Sequence, residues 1–310
     1  MAFEFDKEFD LKRIQKAFDI SQKSIDNSQI DEHELEKIYH DFQSSGPRLD
    51  KIRAEILSTL NEELTGKIHS IRCRVKDPDH LIEKIIRNVN KNPDKYKSIN
   101  ADNYNKIITD LIGVRIIILD KRDWRDVHNS LLRIFRNLPE RYVTIPEDII
   151  TNYDKYSDEA NIKRKFLENS YHAEKPVVYI TSEEDRELYW DENLRIDNSK
   201  SHYRSVHYII RYATVYFEIQ VRTLFEEGWL EFDHRIKYPY DQNNRQKQEY
   251  IGILSSLAVA ADRLISFYEE SAFQQENFMK KGVEKKEPQT ISTDHIKCEP
   301  DLHAKMRVLF

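Results

Sequence analysis

Thr214-Val215-Tyr216-Phe217-Glu218-Ile219-Gln220-Val221-Arg222-Thr223 is the run from which the fold can be read. Val215, Phe217, Ile219 and Val221 alternate with Glu218, Gln220 and Arg222. A strand throws successive side chains to opposite faces, so the apolar set packs on helices. The other face then carries a carboxylate, an amide and a guanidinium in steps of about 7 Å. Alternation alone fits a solvated sheet face equally well. The preceding run, 205–211, reads as a second strand joined through Tyr212-Ala213 in a hairpin. It puts His207 and Arg211 on one face and Val206, Tyr208 and Ile210 on the other.

Working outward, Val114-Arg115-Ile116-Ile117-Ile118-Leu119 is the most apolar segment and suits a central strand covered on both faces. Residues 68–76 read as a short extended segment, followed by a helix from about Asp79 to Val89 with Asp79 as its cap. Asp123 is expected to cap a helix carrying Trp124, Val127, Leu131 and Phe135. The first 65 residues follow helical spacing, with a break at Ser44-Ser45-Gly46-Pro47. Residues 140–200 are polar and acidic, nine Lys/Arg against fifteen Asp/Glu, and read as a long insertion with a strand at Val177-Val178-Tyr179-Ile180. Thr223 caps a helix to about Ile236, and a second long helix runs from about Asn244 to Met279 with an apolar stripe.

Composition narrows the function. The chain has 310 residues, 34% charged and 39% hydrophobic, and reads as an aromatic-rich globular protein. No uninterrupted run of about 18 apolar residues occurs, so no membrane span is expected. The N-terminus lacks the blocks of a signal peptide. Cys73 and Cys298 are too few for a disulfide framework, and a reducing cytoplasm is the expected location. The six glycines stand far apart, which excludes the P-loop and the GxGxxG loop. Side chains must therefore do the phosphate work in any nucleotide site. Residues 67–97 hold nine Lys/Arg against four Asp/Glu, a stretch able to meet a polyanion, although the net charge is -6. Arg74, Lys76 and Arg87 supply fixed positive charge there, or pair with Asp77, Asp79 and Glu83. Asp110, just ahead of the central strand, reads alone more often as a helix cap or surface residue than as a metal ligand; the metal reading gains if it converges with Glu218, because Mg²⁺ takes one or two carboxylates plus substrate phosphates.

The order of these pieces resembles the synthetase domain of the RelA/SpoT family. The matching residues are Arg74-Val75-Lys76, Arg87, Asp110-Leu111-Ile112-Gly113-Val114-Arg115, Tyr203-Arg204-Ser205-Val206-His207, Glu218-Ile219-Gln220-Val221-Arg222-Thr223 and Trp229 through His234. The resemblance implies an α+β fold: a nucleotidyltransferase-like mixed β-sheet flanked by helices, with helical N- and C-terminal extensions. The expected divisions are 1–48 (helical extension), 49–240 (synthetase domain with the insertion 140–200), 241–280 (C-terminal helix) and 281–310 (polar tail).

The implied activity is transfer of the β,γ-pyrophosphate of ATP to the 3′-hydroxyl of GDP or GTP, making (p)ppGpp. The resemblance assigns Mg²⁺ to Asp110 and Glu218, with Glu218 helping to deprotonate the attacking hydroxyl. It assigns adenine to Arg74 and Arg115, and the ATP phosphates to Lys76 and Arg87. It places the acceptor guanine on Tyr203, and the acceptor side on His207, Gln220, Arg222 and His234. It further implies a homo-oligomer through the C-terminal helix. Two other readings stand beside this one: a toxin-type member that modifies the 3′ end of tRNA or makes adenosine alarmones, and a catalytically inactive nucleotide-binding regulator. Retention of both carboxylates argues against the regulator.

The chain departs from the family where glycine usually precedes the Tyr-Arg-Ser element and His202 stands instead. Lys200 stands one residue nearer that tyrosine than the family's lysine. His40-Asp41 is a lone pair without the His/Asp array of a hydrolase domain.

Overall fold

The computed structural model describes residues 7–136, 171–173, 176–181, 183–189, 194–199, 202–212, 215–237 and 244–283. Most of the insertion, Lys200, the 213–214 connection, Cys298 and the tail from 284 onward lie outside these. The chain divides into two compact units, 1–266 and 267–310; the sheet and the site belong to the first.

Four helices open the chain: α1 (Leu11–Phe18), α2 (Gln22–Ser28), α3 (Glu32–Ser44) and α4 (Gly46–Leu64). Asp10, Ser21 and Asp31 cap the first three by accepting backbone N–H groups that the helix leaves without partners. Pro47 sits in the first turn of α4, where its missing N–H costs nothing. Leu35, Ile38, Tyr39 and Phe42 of α3 and Leu49, Ile52, Ile56, Leu60 and Leu64 of α4 are buried, the apolar stripe expected of helices packed on a core.

Among the described residues, seven strands form one mixed sheet: β1 (Ser70–Val75), β2 (Ile112–Ile118), β3 (Tyr171–Ala173), β4 (Val177–Ile180), β5 (Arg195–Asn198), β6 (Ser205–Tyr212) and β7 (Val215–Thr223). Their order is β1-β2-β7-β6-β4-β5, with β3 paired to β6. β2 runs parallel to β7 and antiparallel to β1, and β6 runs antiparallel to β7. β2 is nearly all buried, as its apolar run demands. β7 alternates: Val215, Phe217, Ile219 and Val221 are buried, while Tyr216, Glu218 and Gln220 are half-buried on the other face.

Between the strands lie α5 (Pro78–Lys91), α6 (Pro93–Tyr96), α7 (Tyr104–Ile107), α8 (Trp124–Arg136) and α9 (Glu183–Leu188). Two caps differ from expectation. Asp77, not Asp79, caps α5, accepting from the backbone of Asp79 and His80. Asp120 caps the short 3-10 turn before α8, with Asp123 completing a capping box. In each case the residue with extended backbone is the one that can turn its carboxylate back onto free N–H groups.

α10 (Leu224–Lys237) follows β7, and Thr223 and Glu226 exchange reciprocal bonds at its start. α11 (Arg245–Val283) is the long last helix. Within Arg245–Gln274 an 18-residue window is long and apolar enough to cross a membrane by length and composition. Interruptions by Ser255, Ser256, Asp262 and Arg263 hide it from a search for continuous apolar runs. Yet Ile251, Ser255, Ala258 and Asp262 are buried within the first unit, on the Trp229–Leu230 cluster and its surroundings. Such a packed face is the mark of a helix docked on its own domain.

Candidate active site

The polar face of the sheet is laid out in register. Arg72 of β1 stands opposite Arg115 of β2, which stands opposite Gln220 of β7, which stands opposite His207 of β6. One step along, Arg74 faces Gly113, and Gly113 faces Glu218. A Cβ on Gly113 would meet no atom within 4 Å, so the strand at that point faces open space.

That space is a cavity of about 630 Å³. Its floor is Gly113, Arg115, Glu218, Gln220 and Arg222 from β2 and β7. One wall is the β1–α5 corner with Arg74, Lys76 and His80; the other is α10 with Leu230, Glu231 and His234. Asp110 and Tyr203 complete the lining.

Asp110 lies just before β2. Its Oδ2 is 2.8 Å from Lys76 Nζ and 2.7 Å from Lys84 Nζ. Its Oδ1 is buried and accepts no hydrogen bond. Burial alone would push this carboxyl up, but the two lysines outweigh it and hold it below its ordinary range. Glu218 is held low in the same way: burial opposes ionisation, and the bond from His207 overcomes it. The Asp110 charge is near enough to work against ionisation of Glu218.

Both Glu218 oxygens are occupied. His207 Nδ1 is 2.8 Å from Oε1, and Gln220 Nε2 donates to Oε2 at 2.6 Å. His207 Nε2 is 2.6 Å from the Tyr203 hydroxyl, and Arg222 donates to that hydroxyl at 2.6 Å. Arg222 also donates to Gln220 Oε1. Arg115 donates to Glu227 (2.8 Å) and Glu231 (2.6 Å), one turn apart on α10.

Of the residues singled out from the sequence, Asp110, Glu218, Arg74, Lys76, Arg115, Tyr203, Gln220, Arg222 and His234 line this one cavity. His207 stands behind it, joined to Glu218 and Tyr203. Arg87 is not in the lining; it pairs with Glu83 one turn away at 2.7 Å. Lys84 was not foreseen. Its signal was its place three residues before Arg87, which puts both on adjoining parts of one helix face. Glu227 and Glu231 were also missed, although their four-residue spacing is the mark of a shared face.

The family description "Region found in RelA / SpoT proteins" matches residues 73–243, more than half of the chain. No curated protein sequence matches. Among solved structures, small alarmone synthetase 1 from Bacillus subtilis bound to its product pppGpp shares 18% identity, with a TM-score of 0.43 over 72% of this chain and 91% of that one. Small alarmone synthetase 2 from the same organism shares 18%, TM-score 0.43, over 74% and 96%. A GTP pyrophosphokinase family protein from Streptococcus pneumoniae shares 15%, TM-score 0.47, over 74% and 91%. The matched region starts within β1, ends just beyond α10 and takes in every residue lining the cavity except Arg72: the chain belongs to the RelA/SpoT family of pyrophosphokinase-type enzymes.

Proposed function

We propose that this cavity transfers the β,γ-pyrophosphate of ATP to the 3′-hydroxyl of GDP or GTP. The observation that carries the reading is the convergence of Asp110 and Glu218 on one cavity beside Lys76 and Lys84. In the reaction the 3′-oxygen bonds to the β-phosphorus, the bond to the α-phosphate oxygen breaks, AMP leaves, and the hydroxyl proton passes to the Glu218 carboxylate. Such a reaction asks the protein for placement and charge compensation above all.

A Mg²⁺ ion fits the residues present. Among the described residues no three His, Cys, Asp or Glu side chains cluster as a closed protein cage, but Mg²⁺ needs only one or two carboxylates and completes its shell with phosphates and water. The buried, unengaged Oδ1 of Asp110 is an acceptor waiting for such a partner. Asp110 and Glu218 would hold the ion, which when bound offsets charge on the phosphates. Lys76 and Lys84, spent on Asp110 in the free protein, are the ammonium groups a triphosphate would draw on. Arg87 is left to its pair with Glu83. Arg115 is held at one nitrogen by Glu227 and Glu231; a planar guanidinium so gripped keeps a face for adenine. Tyr203, Gln220, Arg222 and His234 form the acceptor side. The proposed substrates suit a cytoplasmic location.

The exposed Arg72 and Arg74 at the cavity favour a second acceptor class, the 3′ end of tRNA. The test incubates the protein with γ-labelled ATP, Mg²⁺ and, separately, GDP, GTP, ATP or deacylated tRNA. Label on GDP or GTP is the expected result. Label on tRNA or ATP alone overturns the guanosine assignment, and no label on any acceptor overturns the reaction.

We also infer self-association through α11. Tyr250, Ile253, Leu257 and Leu264 are all more than half exposed and follow the 3-4 spacing of a helix–helix seam, which Ala260 also occupies.

A further inference from the structure

We propose that the Tyr203 hydroxyl, acting through His207, positions Glu218, so that seating an acceptor on the Tyr203 ring and aiming the carboxylate are one event. The inference rests on the transfer reading above and adds two positioning groups to it.

Five side chains form a closed hydrogen-bonded ring: Arg222 to Tyr203, Tyr203 to His207, His207 to Glu218, Gln220 to Glu218, and Arg222 to Gln220. With His207 as a neutral imidazole, the direction of each bond follows from chemistry. A guanidinium only donates, so the Tyr203 oxygen accepts from Arg222. The hydroxyl hydrogen is then free for His207 Nε2, 2.6 Å away. A neutral imidazole accepting at Nε2 carries its hydrogen on Nδ1, which points at Glu218 Oε1, 2.8 Å away. Gln220, accepting from Arg222 through its carbonyl oxygen, presents its amide N–H to Glu218 Oε2. Arg222 thus starts two branches that close on the two oxygens of one carboxylate.

The ring is held from outside. Arg222 is 2% exposed and is anchored to Glu227 at 2.8 Å and Ser205 at 3.2 Å. Tyr179 of β4 packs edge-on against both Tyr203 and His207, with centroids 5.6 and 4.9 Å apart. Both His207 nitrogens are thus engaged, with Tyr179 packed against the ring. Tyr203 lines the cavity, and its hydroxyl faces this network. Two parts of one side chain serve two tasks: the ring meets the acceptor, and the hydroxyl orients the histidine that orients the carboxylate.

Tyr203→Phe separates these tasks, because it keeps the ring and deletes the hydroxyl. The expected result is a fall in kcat of about 10- to 100-fold, the usual cost of removing an outer hydrogen-bond partner, with acceptor KM within about twofold of wild type. His207→Asn, whose amide can still donate toward Glu218, should retain more kcat than His207→Ala. Combining Tyr203→Phe with His207→Ala should cost no more than His207→Ala alone, since both cut one chain. A second readout needs no turnover. In ¹⁵N-histidine NMR spectra of the full chain, His207 should be the Nδ1–H tautomer, and Tyr203→Phe should shift it toward Nε2–H. Wild-type kcat in Tyr203→Phe, a loss confined to acceptor KM, or an Nε2–H tautomer in the wild type would each overturn the proposal. A wild type that transfers to no acceptor but shows the Nδ1–H tautomer and its loss in Tyr203→Phe would sink the reaction and leave the ring standing.

Discussion

Glu218 keeps its charge inside the cavity, against the cost of burial and the Asp110 charge, because of its bond with His207 and the nearby Lys84. Glu218→Gln removes that charge at nearly constant shape. It should abolish transfer while leaving the thermal midpoint within a few degrees of wild type, as read by a labelled-ATP assay beside a melting curve. Wild-type turnover in this variant would misplace the site. His202 is a second informative position. Its φ is +60°, in the left-handed region that glycine enters without penalty and a side chain enters at a cost. The same position departs from the family's glycine, so the backbone has kept a glycine-like path under a histidine. His202→Gly should relieve strain and stabilise the protein by up to about 1 kcal/mol, and denaturant unfolding will show it as a raised midpoint. A lowered midpoint would mean that the imidazole, near Gly252 of α11, contributes more than the strain costs.

At the scale of the element, α11 is held to the first unit by Ile251, Ser255, Ala258 and Asp262, spaced to share one side of the helix. Asp262 is the exceptional member. Burial, reinforced by the Glu226 charge, pushes its carboxyl up to about 7, while Thr223, Arg204 and Lys121 pull the other way. Its Oδ1 accepts no hydrogen bond. A carboxyl whose folded pKa is raised keeps its proton in the fold and releases it in the unfolded chain. Stability is therefore lost as pH rises from about 4 to about 7, and the loss is complete above that window. Asp262→Asn should remove a penalty of at most about 4 kcal/mol at pH 8, with the gap from wild type closing toward pH 4. Melting curves across this range check it; a gap that widens on acidification would contradict the assignment. α10 works differently: Glu227 and Glu231 on one of its sides fix Arg115, so the helix acts as a brace for a strand residue more than 110 positions earlier.

For the whole molecule, the exposed residues of α11 carry the proposed self-association. Tyr250, Ile253, Leu257 and Leu264 are each 58% or more exposed, a row of large apolar side chains that a lone soluble chain would rarely leave uncovered. Light scattering should return a multiple of 37.2 kDa for the wild type and 37.2 kDa for Ile253→Glu combined with Leu257→Glu. A wild type of 37.2 kDa would end the self-association reading. Charge is also arranged at this scale. The net charge is -6, yet Arg72, Arg74, Lys76 and Arg115 line the cavity. Asp77, Asp110, Glu218 and Glu231 line it as well, so cations and carboxylates stand side by side there.

Much of this was legible along the chain, for a physical reason. Side-chain alternation in 215–223 is a property of the extended backbone, so the buried and polar faces of β7 follow from residue order alone. The apolar run of β2 marks a strand covered on both faces in the same local way. Family motifs, read in order, then named nine of the residues that line the cavity, together with Arg87 and His207, which do not. What residue order left open was partnership across distance. It could not say that Lys84 would share Asp110 with Lys76, that Arg87 would turn to Glu83, or that His207 would stand between Tyr203 and Glu218. Those outcomes depend on strand register, on the angle at which α5 leaves β1 and on the side chains already filling the space. They are settled by competition among neighbours that only meet once the sheet has closed.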